Sequence, residues 1–169
     1  MAPIVVFVGA PGAGKTAVGE QVARRMNLKF TDTDIETEKH AGTSITDIFV
    51  DEGEAGFRRR ERDAVVAALD ETSGVVALGG GAVVDKETRA DLSPLTVVWL
   101  QVGATEAAKR AGISGPRPML LGNVRTTWLG QLREREELYR EVATHEVDTN
   151  RRSADEVAQE VVELLAVAS

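Results

Sequence analysis

The sequence of 169 residues contains no cysteine, only two histidines and few aromatic residues, and its 20 basic side chains are outnumbered by 27 acidic ones, which gives a net charge of −7. The lack of cysteine excludes disulfide bonds, thiolate metal sites and a cysteine nucleophile, and it fits a reducing cytoplasm. No apolar run approaches the roughly 20 residues of a membrane-spanning helix, and the first residues lack the basic start of a secretory signal. The acidic balance argues against a nucleic-acid surface as the main function. We therefore expect a cytoplasmic protein with neither a membrane nor a nucleic acid as partner.

Apolar residues occur in short valine-rich runs that are separated by helical patterns. Three runs without alternating polarity predict buried strands, and two other segments are weaker candidates: Ile4–Val8, Val75–Leu78 and Thr96–Leu100, then Lys29–Thr31 and Glu146–Asp148. Helices are predicted over Lys15–Met26, Ser44–Val50, Glu54–Leu69 and Val124–Ala143, with a last helix opening at Ser153. This alternation predicts one α/β domain over residues 1–169, with helices packed around a parallel sheet.

A glycine-rich segment follows the first predicted strand directly. Residues 9–16 match the pattern G-x-x-x-x-G-K-[ST] in the strand–turn–helix context that a phosphate-binding P-loop requires. Lys15 is expected to reach the β- and γ-phosphates, and Thr16 to place its hydroxyl on Mg²⁺. The predicted phosphate-binding residues are Gly12, Ala13, Gly14, Lys15, Thr16 and Ala17. The sequence therefore predicts a nucleoside-triphosphate site.

Two further segments follow predicted strands and are candidates for the rest of this site. Asp32 and Asp34 flank one residue, so in extended backbone they would share a face at the carboxyl end of a strand. A phosphotransferase places one carboxylate near Mg²⁺ and one near the attacking hydroxyl, whereas the alternative role for these residues is helix capping. Gly79–Gly81 would let a ligand approach the backbone closely, although a plain tight turn is the alternative.

Arginine residues suggest how an anionic ligand could be held. Glu61 lies on the apolar stripe of its predicted helix, where a carboxylate needs a partner, and Arg58 is three residues earlier. We infer that Glu61 orients Arg58 toward a ligand, and the alternative is a routine surface ion pair. The segment 111–122 is rich in glycine and proline and carries Arg117, which predicts a lid over a site rather than an ordinary surface loop.

Taken together, these motifs resemble the shikimate kinase family of small P-loop kinases. The resemblance runs nearly from end to end, over Gly9–Thr16, Asp32–Asp34, Phe57-Arg58 with Glu61, Gly79–Gly81, Arg117-Pro118, Arg135 with Leu138-Tyr139, and Asp148–Arg152. It implies a three-layer α/β/α fold with a five-stranded parallel sheet, a lid at about 111–122 and a substrate-binding segment at about 32–62. It also implies transfer of the ATP γ-phosphoryl group to the 3-hydroxyl of shikimate, with Mg²⁺, on the route to chorismate and aromatic amino acids.

The resemblance further implies a role for each matching residue. Asp34 would hold the accepting hydroxyl, while Lys15 and Arg117 would supply positive charge during catalysis. The implied shikimate contacts are Asp34, Arg58, Gly79, Gly80, Gly81 and Arg135. Thr16 would hold Mg²⁺ directly and Asp32 through water, and the implied nucleotide contacts outside the P-loop are Arg110, Arg117 and Arg152. No oligomer interface is visible in the sequence, so a monomer is expected.

Two other functions are alternatives to shikimate phosphorylation: another small-molecule kinase, and a nucleotide-binding switch or module. Another small-molecule kinase of the same fold, such as a gluconate kinase, also takes an acceptor with a carboxylate and hydroxyls, but the combination of Asp32-Thr33-Asp34 with Arg58 and Arg135 favours shikimate. A GTP-dependent switch would usually carry Asn-Lys-x-Asp, and none of the three asparagines is followed by lysine. A non-catalytic nucleotide-binding module should have lost Lys15 or Asp34, and both are present.

Overall fold

The computed structural model describes residues 2–71, 73–103, 106, 109–110 and 133–168. The predicted lid with Arg117 lies outside the described residues, as does the first part of the helix predicted over Val124–Ala143. Residues 133–142 of that predicted helix are helical.

Five strands form one parallel sheet, as predicted. They are β1 (Val5–Val8), β2 (Phe30–Asp32), β3 (Val75–Ala77), β4 (Val97–Gln101) and β5 (His145–Asp148), in the order β2-β3-β1-β4-β5. The central strand β1 pairs Val6 with Val76 on one side and with Val97 on the other. All four residues of β1 are buried, which is why the sequence shows no alternation of polarity there.

Helices cover both faces of the sheet and complete three layers. Val5 and Phe7 of β1 belong to the apolar cluster beneath α1 (Lys15–Met26) and α6 (Ala154–Ala168). Val6 and Val8 belong to the cluster on the other face. That cluster is covered by α3 (Ile45–Glu71), a 3₁₀ turn (Ala82–Val84), α4 (Lys86–Leu92) and the helical residues 133–142, here named α5. The predicted three-layer α/β/α architecture is therefore confirmed.

The predicted break between two helices is present inside α3. Gly53 has φ 74° and ψ 179°, a backbone conformation that interrupts the helix and that essentially only glycine adopts. At the start of α3, the Asp47 N–H donates to the Ser44 hydroxyl (3.1 Å), as the capping pattern predicts. The second predicted capping box is also present, because the Glu156 N–H donates to the Ser153 hydroxyl (3.1 Å) before α6.

The sequence-based expectation for the Asp32–Asp34 segment was wrong in one respect. Asp32 is the last residue of β2, but Thr33 and Asp34 are the first residues of α2 (Thr33–Ala41), so the two carboxylates do not share a face of an extended strand. The helix begins with no connecting loop because the Asp32 carboxylate caps it, accepting hydrogen bonds from the N–H groups of Asp34 and Ile35. The proposed alternative, helix capping, is therefore true of Asp32.

Candidate active site

Three segments meet at the carboxyl edge of the sheet. Because all five strands are parallel, the segments that follow β1, β2 and β3 emerge on the same side. These segments are the P-loop, the start of α2 and the Gly79–Gly81 turn. The P-loop lies at the centre of this edge, because it follows β1, the middle strand of the sheet. Strands β2 and β3 lie on one side of β1 and strands β4 and β5 on the other, so the strand order reverses at β1.

The P-loop has the backbone conformation that its glycines predict. Gly9, Gly12 and Gly14 have φ values of 150°, 85° and 92°. A Cβ at Gly9 would lie 2.6 Å from the Leu100 carbonyl oxygen, so the loop passes too close to β4 for a side chain there. Gly14 immediately precedes α1, which directs the positive end of that helix toward the loop.

Lys15 lies at the base of this loop. Its Nζ donates to the carbonyl oxygens of Gly9 (2.6 Å) and Ala10 (3.0 Å). Burial lowers the pKa of Lys15 to about 8, an effect that the carboxylates of Asp34 and Asp32 oppose and the charge of Arg135 increases. Lys15 is therefore within electrostatic reach of Asp34, Asp32 and Arg135.

Thr16 and Asp32 form the pair expected at the metal. The Thr16 hydroxyl donates to Asp32 Oδ2 (2.6 Å), while Asp32 Oδ1 accepts from the Asp34 N–H (2.9 Å). One carboxylate therefore both caps α2 and contacts the P-loop. Among the described residues no three His, Cys, Asp or Glu side chains cluster as a metal site. The hydroxyl and carboxylate fit Mg²⁺ that takes its other ligands from phosphate oxygens and water.

Asp34 lies in the first turn of α2, directly over the Gly79 backbone. A Cβ at Gly79 would be only 2.4 Å from Asp34 Oδ1, which explains why glycine is needed there. Burial raises the pKa of Asp34 to about 6, with further contributions from the charges of Asp32 and Glu61, and Lys15 opposes this shift. The carboxylate therefore lies in a partly desolvated position next to the P-loop lysine.

The neighbouring Thr33 is a site residue that sequence reasoning missed. Its side chain is fully buried, and its hydroxyl accepts a hydrogen bond from the Gly79 N–H (3.2 Å). This bond joins the start of α2 to the loop after β3. The only available signal was the position of Thr33 between two candidate aspartates.

Arg58 and Glu61 form the predicted pair on α3. Arg58 Nη1 donates to Glu61 Oε1 (2.8 Å), and a Cβ at Gly81 would lie 2.5 Å from the same Nη1 atom. Burial raises the pKa of Glu61, and the guanidinium groups of Arg58 and Arg135 oppose that shift. Two guanidinium groups from different helices thus act on one buried carboxylate. The inference that Glu61 orients Arg58 is supported, because the carboxylate is only 4% exposed and is no routine surface partner.

Gly80, the middle residue of the turn, lies close to the P-loop and is hydrogen-bonded to α5. A Cβ at this position would lie 2.8 Å from Cδ of Pro11 in the P-loop. Its carbonyl oxygen accepts a hydrogen bond from the hydroxyl of Tyr139 on α5 (2.6 Å). Neither Pro11 nor Tyr139 was predicted as a site residue. Tyr139 is nevertheless the only tyrosine of the chain and belongs to the Leu138-Tyr139 motif of the family resemblance.

Two cavities lie next to each other around the P-loop. The first has a volume of about 400 Å³ and is lined by Pro11, Gly12, Gly14, Lys15, Thr16, Ala17, Asp32, Asp34, Leu78 and Gly80. The second has a volume of about 300 Å³ and is lined by Ala13, Gly14, Val18, Glu106, Arg110, Thr149, Arg152, Ala154 and Val157. Gly14 lines both, so the two cavities adjoin at the start of α1.

The second cavity brings together Arg110 and Arg152, the residues expected near the base of the nucleotide. Arg110 donates to the Gly12 carbonyl oxygen (3.2 Å) and to the carbonyl oxygen of Thr149 (3.0 Å), and thereby joins the P-loop to the segment after β5. Arg152 donates to the Asp148 carbonyl oxygen (2.8 Å). Both guanidinium groups are thus held by backbone carbonyls at the edge of this cavity.

A membrane-spanning segment is not found in the described part of the chain, where no helix combines the necessary length and apolarity.

Comparisons with known proteins find one family that matches over most of the chain. The model of the family described as shikimate kinase matches residues 11–166. The shikimate kinase of Thermobifida fusca is 46% identical over 166 residues, which cover 98% of this chain and 96% of that protein. Shikimate kinase from Acinetobacter baumannii, solved in complex with shikimate, superposes with a TM-score of 0.89 at 34% identity, covering 100% of this chain and 96% of that one. A gluconokinase from Sinorhizobium meliloti shares the fold, with a TM-score of 0.61 at 22% identity over 99% and 93% of the two chains.

Proposed function

The chain belongs to the shikimate kinase family and is an enzyme that phosphorylates shikimate with ATP; from this premise we propose which residues perform the reaction and that the 3-hydroxyl is the acceptor. The reaction is a step toward aromatic amino acids. The observation that carries the assignment of roles is the shared cavity in which Lys15, Asp32 and Asp34 lie beside Gly80. A phosphate-binding loop and two carboxylates with different partners are what phosphoryl transfer to a hydroxyl requires.

The triphosphate of ATP binds along the P-loop, and its base lies in the adjoining cavity. Backbone N–H groups of Gly12, Ala13, Gly14, Lys15, Thr16 and Ala17 contact the phosphates. Arg110 and Arg152 lie beside the adenine, and Arg117 approaches the transferring phosphoryl group from the proposed lid at about 111–122. Mg²⁺ would be held by Thr16 and, through water, by Asp32, and when bound it neutralises phosphate charge. Support for this arrangement comes from the Thr16–Asp32 hydrogen bond.

Shikimate binds over the segment 32–62 and the glycine turn. Arg58 and Arg135 grip its carboxylate, since a guanidinium group recognises a planar anion through paired hydrogen bonds. Gly79, Gly80 and Gly81 line the ring, and Asp34 accepts a hydrogen bond from the 3-hydroxyl. This assignment is supported by the common influence of both arginines on buried Glu61 and by the contact of Asp34 with Gly79.

In the chemical step, the 3-oxygen of shikimate forms a bond to the γ-phosphorus while the bond to the β,γ-bridging oxygen breaks and ADP leaves. Asp34 orients the attacking hydroxyl and takes its proton, a role that suits a carboxyl with a pKa of about 6. Lys15 and Arg117 stabilise the negative charge of the transferring group. All of these groups belong to one chain, which supports a monomer. We also propose that residues 1–169 form a single domain and that the enzyme acts in the cytoplasm.

The proposal is tested by ADP release in a coupled assay with Mg²⁺ and ATP, using shikimate and gluconate as alternative acceptors. We expect turnover that depends on shikimate and is lost in Lys15→Ala. Lys29→Ala is the matched control, because Lys29 is exposed and its backbone pairs with Val75 at the opposite edge of the sheet. Equal turnover with gluconate would contradict the assigned specificity, and full activity in Lys15→Ala would contradict the assigned nucleotide site.

A further inference from the structure

The environment of Tyr139 connects three elements of the site. Tyr139 is only 2% exposed and its ring packs against Trp99, with centroids 5.8 Å apart, in the apolar cluster on one face of the sheet. Its hydroxyl leaves that cluster and donates to the Gly80 carbonyl oxygen (2.6 Å). Core packing therefore fixes a polar group at the edge of the substrate pocket.

The same hydroxyl also interacts with Arg135, one helical turn earlier on α5. Burial raises the pKa of Tyr139 to about 12, while the charge of Arg135 and its hydrogen bond to the phenol oxygen oppose this shift. The hydroxyl keeps its proton near neutral pH and can donate it to Gly80. This hydrogen bond joins the glycine turn to the helical turn of α5 that carries Arg135.

We propose that Tyr139 is a positioning residue for shikimate, because its hydroxyl ties the Gly80 peptide to the helical turn of α5 that carries Arg135. This inference rests on the proposed function, in which Gly80 lines the ring and Arg135 grips the carboxylate. Without the hydroxyl, Gly80 loses its hydrogen bond to α5. Shikimate would then have to hold the glycine turn and Arg135 together itself, which weakens binding.

The effect is specific to shikimate and spares the nucleotide. Gly80 packs against Pro11, but the P-loop is held by bonds of its own, including those from Lys15 to the carbonyls of Gly9 and Ala10. The nucleotide base cavity does not include Gly80 or any residue of α5. Loss of the Tyr139 hydroxyl therefore acts on the Gly80 side of the pocket, while the bonds that hold the P-loop and the residues of the base cavity are unchanged.

Tyr139→Phe tests this inference, because phenylalanine keeps the ring packing and deletes only the hydroxyl. A buried hydrogen bond removed on one side costs a factor of about 5 to 100. We expect the shikimate KM to rise by that factor, with the ATP KM and kcat within about twofold of the native values. Direct titration of shikimate onto the native and variant proteins should show the same loss of affinity without turnover.

Thr144→Val is the matched control for a merely structural effect. The Thr144 hydroxyl also bridges backbone groups, accepting from the Val97 N–H (3.0 Å) and donating to the Leu95 carbonyl oxygen (3.3 Å), but it lies at the amino end of the sheet, opposite the site. The Thr144→Val substitution should lower the melting temperature without raising the shikimate KM. An unchanged shikimate KM in Tyr139→Phe overturns the inference, as does an equal rise in both variants. Absence of shikimate turnover in the native protein would instead overturn the proposed function itself.

Discussion

At the scale of single residues, the charged groups of the site are held where burial disfavours their charged forms. The pKa of Asp34 is raised to about 6 and that of Lys15 is lowered to about 8, in each case mainly by desolvation. Glu61 has a raised pKa for the same reason. A site that keeps such groups gives up stability for chemistry, so replacing one of them should separate activity from stability.

Asp34→Asn makes that separation measurable. The amide keeps the shape of the side chain but can neither carry the charge nor accept a proton, so kcat should fall by about 100-fold or more. Because the folded state raises this carboxyl pKa, the folded state binds the proton more tightly, and stability from this group is lost as pH rises through about 6. Above that pH the variant should therefore melt at the native temperature or higher.

The controls for this prediction are the pH series of melting temperatures and the exposed variant Asp70→Asn near the end of α3. Asp70→Asn should leave kcat unchanged. Near-native turnover by Asp34→Asn would show that the carboxylate is only a helix-terminal group, and a large drop in its melting temperature would show that it acts structurally.

Arg135→Ala tests the second proposed contact of the carboxylate. A charged hydrogen bond contributes about 1.5–3 kcal/mol, so the shikimate KM should rise by roughly 10- to 100-fold, while the ATP KM stays close to native. Arg133→Ala, an exposed arginine two residues earlier in α5, provides the matched control and should change neither constant. A native shikimate KM in Arg135→Ala would remove this residue from the proposed clamp.

At the scale of elements, the parts of the site that depend on local sequence could be predicted and those that depend on distant partners could not. The P-loop is contiguous, and Arg58 and Glu61 are three residues apart on one helix, so spacing alone indicated both features. Thr33 and Gly79 are 46 residues apart, and Tyr139 and Gly80 are 59 apart. No periodicity within one element reports such a contact.

The helix α2 shows why one local prediction also failed. Its buried residues are Thr33 and Thr37 rather than apolar side chains, so the segment lacks the hydrophobic stripe by which a helix is recognised. The valine-rich strands were found because burial on both faces makes them continuously apolar. The core of the sheet was thus predictable from composition, whereas the polar helix that carries Asp34 was not.

Gly79→Ala tests how tightly two elements meet in the site. The added Cβ would lie 2.4 Å from Asp34 Oδ1 and would displace this carboxylate of the first turn of α2, while the Gly79 backbone itself is not strained. Misplacing a reacting group by about 1 Å can reduce a rate by about 100-fold, so kcat should fall by roughly 10- to 100-fold with little change in stability.

Gly74→Ala gives the opposite pattern and serves as the control. Its Cβ would lie 2.2 Å from the Lys29 carbonyl oxygen at the amino edge of the sheet, where only the backbone can yield. The melting temperature should fall, while kcat of the folded protein stays close to native. If Gly79→Ala retained native kcat, the close contact between the glycine turn and Asp34 would have no part in catalysis.

At the scale of the whole molecule, a parallel sheet with the P-loop at its centre places two binding regions side by side on one edge. The proposed nucleotide contacts come from the loop after β1 and the adjoining base cavity, and the proposed shikimate contacts come from α2, α3, the turn after β3 and α5. Either ligand should therefore stabilise the same folded unit through separate residues, and variants should remove one stabilisation without the other.

Melting temperatures with each ligand measure this separation. A ligand at 100 times its Kd stabilises the folded state by about 2.7 kcal/mol, which for a chain of this length corresponds to a rise of about 5–10 °C. The native protein should show such a rise with Mg²⁺ and ATP and another with shikimate. Lys15→Ala should lose the first and keep the second, and Arg135→Ala should do the reverse. If each variant lost both rises, the two groups of residues would not form separate binding regions, because the damage from either change would have spread through the shared sheet edge.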